Sequence, residues 1–96
     1  MFAGIDVASE RHTLARLDEA GGAIGGPIVV AEGREGYDAL LRALGPPPAL
    51  VAMEATGHYW KNVFAVLTTA GHEVALLNPF QARRFQDASL ERTETG

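Results

Sequence analysis

The chain contains no cysteine. That excludes a disulfide framework and thiolate chemistry, and it fits an intracellular protein. No apolar run approaches the roughly 20 residues of a membrane span, and the N-terminus lacks the basic region and apolar block of a secretory leader. The expectation is a soluble, cytoplasmic protein that needs no membrane partner. There is no internal repeat, low-complexity segment or domain linker. A basic balance is missing too: the formal net charge is −4 and the isoelectric point is near 5.2. Nucleic-acid binders are often basic, so bulk charge argues against broad phosphate contact. The only arginine cluster is late, at Arg83, Arg84 and Arg92. Taken alone it reads as a solvated helix face.

What is present is a single small domain's worth of chain. Ninety-six residues, 47% hydrophobic and 21% charged, suffice for one core. The organising stretch is Leu50 to Trp60, L-V-A-M-E-A-T-G-H-Y-W. Leu50 to Met53 is a short apolar run of the length of a buried strand, and it ends at once in Glu54. Phe2 to Ile5 run into Asp6 in the same way. An ionised carboxylate at the end of a buried strand has either left the core or met a compensating group.

Patterning supplies the remaining elements. Phe2–Ala8 predicts a central strand and His12–Asp18 an alternating, half-buried one. Glu19 to Gly22 predicts a hairpin connection. Ala23–Ala31 predicts a third strand, bulged or starting late because Gly25-Gly26-Pro27 interrupts it. Tyr37, Leu40, Leu41 and Leu44 share one face of a helix over Arg34–Leu44, which Gly45 and Pro46 to Pro48 terminate. A second helix is predicted over His58–Ala70, with Trp60, Val63, Phe64 and Leu67 on one face and Gly71 past its end. Val74–Leu77 predicts a fifth strand. Asn78 and Pro79 open a third helix, to about Ala88, followed by a polar tail, Ser89–Gly96.

The order β-β-β-α-β-α-β-α implies an antiparallel meander, then two strands added in parallel by right-handed crossovers. This is an α/β, ribonuclease-H-like mixed sheet of order 3-2-1-4-5. Strand order reverses between the first and fourth strands, where open α/β sheets bind their ligands. Asp6 and Glu54 fall at that crevice. Two adjacent carboxylates share a proton or hold a divalent cation. Magnesium takes hard oxygen ligands, and a metal pair can drive phosphodiester chemistry. The plainer alternative is that Asp6 caps a turn and Glu54 bonds the amides near Gly57. His58 is a candidate phosphate contact or simply a first-turn residue. Tyr59 and Trp60 can stack on bases, but the simpler reading has Trp60 in the core and Tyr59 at the surface. His12 and His72 have no metal-ligand spacing with each other, and Gly25-Gly26 opens no helix, so it is not a phosphate cradle.

Three blocks, G-I-D-V-A-S, M-E-A-T-G-H-Y-W and L-L-N-P-F-Q-A-R-R-F, occur in order across nearly the whole chain. They resemble the N-terminal domain of Piv-type DEDD insertion-sequence transposases, whose nuclease domain is similar to the RuvC Holliday-junction resolvase. The resemblance implies a RuvC-like fold, Mg²⁺ dependence (with Mn²⁺ as substitute), DNA strand exchange and guidance by a structured RNA. It makes Asp6 the first metal-binding acid and Glu54 the second, both catalytic; on that reading Arg83 and Arg84, beside His58, are candidate nucleic-acid contacts. In this family a T-K-T-D motif precedes further acids. Here the matching stretch is Thr93-Glu94-Thr95-Gly96, and Asp87, Glu91 and Glu94 have no firm claim to that role.

The resemblance therefore implies one RuvC-like domain over residues 1–96, incomplete at its C-terminus and catalytically silent alone. The alternatives are a non-catalytic fragment that pairs with full-length transposase or with itself, a decayed remnant, or an actin- or hexokinase-like phosphotransferase. The last is disfavoured by Glu10 in the first turn.

Overall fold

The computed structural model describes residues 1–55 and 57–78. The strands are β1 (Phe2–Val7), β2 (Arg11–Leu17), β3 (Ile28–Ala31), β4 (Leu50–Glu54) and β5 (Glu73–Leu77); α1 (Arg34–Leu44) and α2 (Trp60–Thr69) lie between them. They form one mixed sheet of order β3-β2-β1-β4-β5, as the element order predicts. β1, β2 and β3 pair antiparallel, whereas β4 joins β1, and β5 joins β4, in parallel.

The β2–β3 connection is held by Asp18. Its Oδ1 accepts the amides of Ala20 at 2.9 Å and Gly22 at 2.8 Å, an Asx-type turn that competes successfully with strand geometry. β3 therefore starts late, at Ile28. Only an isolated bridge between Leu17 and Ala23 precedes it, and Pro27 has no amide to give a ladder.

Alternation then sorts the side chains. Ala3 and Ile5, His12 and Leu14, Val30, and Val51 and Met53 point to one side of the sheet and are buried. Both helices cover that side. Leu40 and Leu44 of α1 and Val63 and Leu67 of α2 complete a single apolar cluster with the strand residues. α1 packs on β3, α2 packs on β5, and the helices touch each other. Gly36 lets α1 come this close: a Cβ there would lie 1.6 Å from the Ala31 carbonyl oxygen. Arg16 reaches beneath α1 and donates from Nη1 to the Ala43 carbonyl at 3.2 Å, a cation where the helix dipole favours one.

The predicted start of the second helix needs correction. Gly57, with φ of 64°, turns the chain, and Gly57, His58 and Tyr59 are spent in that turn, so α2 begins at Trp60. Its other end matches expectation. His72 N–H donates to Leu67 O and Gly71 N–H to Thr68 O, with Gly71 at φ 96°, the paired bonds of a Schellman cap. The predicted third helix over 79–88 and the tail lie outside the described residues.

Candidate functional site

β1 and β4 run side by side in register: Phe2 with Leu50, Ala3 with Val51, Gly4 with Ala52 and Ile5 with Met53. One further step along both strands brings Asp6 beside Glu54. Ile5 and Met53 are buried under the helices, so strand alternation turns Asp6 and Glu54 to the opposite side, which among the described residues is open. Neighbouring strands lie about 4.8 Å apart, so the two carboxylates leave adjacent backbones at the carboxyl ends of adjacent parallel strands. Asp6 is exposed and Glu54 half-buried.

The pairings extend this row across the sheet. Val29 lies opposite Thr13, Thr13 opposite Asp6, and Leu77 next to Glu54. The row behind it is Ala15, Gly4, Ala52 and Ala75, which carries almost no bulk. Behind that come Leu17, Phe2, Leu50 and Glu73. Phe2 is 45% exposed and Leu50 42%. Among the described residues, the acids thus stand at the rim of a shallow floor of small residues.

Beneath the rim, on the helix-covered side, a part-buried polar network fixes the turn that follows Asp6. His12 is fully buried. Its Nδ1 accepts the Ala8 amide at 3.2 Å, so Nε2 carries the ring proton and donates to Glu32 Oε1 at 3.1 Å. The Tyr37 hydroxyl donates to the same oxygen. Glu32 N–H donates to Glu10 O at 2.8 Å, closing the end of β3 onto the β1–β2 turn. Burial alone raises the Glu32 carboxyl, but the Tyr37 and His12 hydrogen bonds and the Gly33 amide together hold it below its ordinary value. Burial first, then the hydrogen bond to Glu32 and its charge, push the Tyr37 phenol up to about 12. Asn62 of α2 also bonds Tyr37, so the network reaches both helices.

Sequence reasoning missed this network. His12 showed no ligand spacing with His72, and its actual partner is distant in sequence, on the far side of a long connection. His72 does comparable work at the opposite end of the sheet, where its Nδ1 accepts the Ala49 amide at 3.0 Å. Both buried histidines are thus backbone acceptors.

Among the other predicted site residues, His58 is exposed in the turn before α2, its ring centroid 4.4 Å from that of Tyr59. Trp60 is half-buried, edge-on to Phe64, with its indole N–H donating to Gly57 O at 3.2 Å. Arg83 and Arg84 lie outside the described residues, as do Asp87, Glu91 and Glu94. Among the described residues no group of three or more metal-capable side chains converges, and no helix is long and apolar enough to cross a membrane.

The donor set fits a hard divalent cation in part. Asp6 and Glu54 offer carboxylate oxygens from neighbouring strands, which suits a magnesium ion that takes one or two carboxylates and completes its shell with water and phosphate oxygens. Compared with known proteins, the chain matches a family model described as a transposase, of the IS110 DEDD type, over residues 3–95. No match is found among curated proteins.

Proposed function

This chain belongs to the DEDD transposase family, and we propose that it forms the N-terminal part of a RuvC-like catalytic domain in which Asp6 and Glu54 hold Mg²⁺ for DNA strand cleavage and exchange. The observation that carries the proposal is the shared register of β1 and β4, which puts both acids on one open face where the strand order reverses. A bound divalent cation supplies charge neutralisation for a phosphodiester and an activated water or hydroxyl.

The chain's own residues do the positioning. Asp6 and Glu54 bind from a rigid, doubly paired centre of the sheet. The His12–Glu32–Tyr37 network fixes the turn after Asp6. The floor of Gly4, Ala15, Ala52 and Ala75 lets a sugar–phosphate backbone come near the acids. Further ligands complete the set in the working enzyme, so these two acids alone give binding without efficient turnover.

One observation weighs against an ATP-dependent phosphotransferase on the same sheet. Such a site needs free amides in the β1–β2 turn, and here the Ala8 amide is committed to His12.

The test is a Mn²⁺ titration of the 96-residue chain followed by backbone NMR. Paramagnetic broadening is expected to centre on Asp6 and Glu54 and to vanish in Asp6→Asn. Broadening scattered over surface acids would overturn the proposal.

A further inference from the structure

Tyr59 is a large aromatic residue left 41% exposed, next to a tryptophan that turns inward. The cause is the tight turn at Gly57, which places residue 59 just ahead of the first turn of α2. The ring is not left to wander. His58 lies against it at 4.4 Å, tilted by 38°, which limits the rotamer freedom that a ligand must otherwise freeze. Two residues further on stands Lys61, exposed, and the chain's only lysine. The turn therefore presents a braced, exposed aromatic face, with an exposed cation in the first turn of the helix that follows. It is also close to the acid pair: Tyr59 follows Glu54 by five positions, at most about 18 Å of chain.

We propose that Tyr59, braced by His58 and flanked by Lys61, is a stacking platform for an unpaired base of single-stranded DNA whose backbone runs toward Asp6 and Glu54. This rests on the nuclease reading above and specifies the form of substrate it takes. An aromatic face gains little from duplex DNA, whose base faces are already stacked, but binds an unstacked base of any identity. Lys61, on its long flexible stem, meets a neighbouring phosphate of the same strand. The chain is acidic overall, with a net charge of −4, so stacking rather than long-range attraction carries the affinity. The salt dependence should therefore be shallow: a log–log slope of about −0.7 for one phosphate contact on a single strand.

The experiment is a backbone NMR titration of the full chain in chelator-containing buffer, with a short oligodeoxythymidylate and with a duplex of equal length. Saturable shifts are expected at Gly57 to Lys61 with the single strand and not with the duplex. Tyr59→Leu should weaken binding about tenfold, and Tyr59→Phe, which keeps the ring, should bind like the parent. Lys61→Gln should flatten the salt dependence while stacking persists. Equal binding by Tyr59→Leu, shifts centred elsewhere, preference for duplex, or no shift at all would overturn the platform. Chelator removes the metal from this assay. If Mn²⁺ broadens Asp6 and Glu54 but the oligonucleotide leaves Tyr59 unmoved, the platform alone fails. If the oligonucleotide shifts the turn but Mn²⁺ scatters, the acid pair alone fails.

Discussion

The two faces of this sheet obey opposite rules, although they are built from alternate residues of the same strands. On the helix-covered face Leu14, Val51 and Met53 are sealed under α1 and α2. On the open face, among the described residues, Val29 is 60% exposed and Phe2 and Leu50 are nearly half exposed. The covered face holds the molecule together. The open face contributes little to that and can therefore carry charge: Asp6 sits one residue from buried Ile5, and Glu54 one residue from buried Met53. Stability and chemistry are separated by a single peptide unit along each strand.

That contrast can be broken or sharpened by substitution. The largest effect is expected at Gly36. Gly36→Ala drives a methyl into the Ala31 carbonyl, 1.6 Å away; α1 must lift from β3, at a cost of about 4 kcal/mol, read as a lowered urea midpoint. Leu14→Ala, at a fully buried site, should cost about 3 kcal/mol through lost transfer energy and a residual cavity.

The part-buried polar network adds a smaller, pH-dependent term with two limits. The Glu32 carboxyl titrates below its ordinary value. Its contribution is therefore present above the unfolded pKa and is lost as pH falls through the folded one. The Tyr37 phenol is raised to about 12. Its contribution is present below the ordinary tyrosine range and is lost as pH climbs through it toward 12. Urea midpoints against pH should fall at both ends, and Tyr37→Phe should flatten the alkaline limb.

The smallest effects belong to the open face. Val29→Thr should change stability by no more than about 0.5 kcal/mol, and so should Asp6→Asn, even as it abolishes localised Mn²⁺ broadening. A Val29→Thr cost comparable to that of Leu14→Ala would mean that the two faces are not distinct in the way described.

Much of this was legible in the sequence, because periodicity reports burial. Alternation in His12–Leu17 and the i, i+3, i+4, i+7 spacing of Tyr37, Leu40, Leu41 and Leu44 each identify a surface that packs. The same parity argument brings Asp6 and Glu54 to one place. What periodicity cannot report is backbone geometry and contact between distant residues. Nothing local to His58 shows that the Gly57 turn delays α2 to Trp60. Nothing local to Gly36 shows the Ala31 carbonyl against it, and nothing around His12 names Glu32. The pattern puts Tyr59 at the surface, where the structure also has it; the additional finding is its contact with His58. Arg83 and Arg84 lie outside the described residues.

The constant pairing offset between β1 and β4 has one more consequence. Moving β4 by one residue against β1 would bring Met53 to the open side and Glu54 into the core in the same motion. The acid pair and the apolar cluster are therefore read in a single frame. Over generations, residues can be gained or lost in the stretch from Asp18 to Pro27 or between Gly45 and Ala49 without disturbing that frame. A single insertion inside either strand disrupts it, and a chain whose core is correctly assembled has already brought its two acids together.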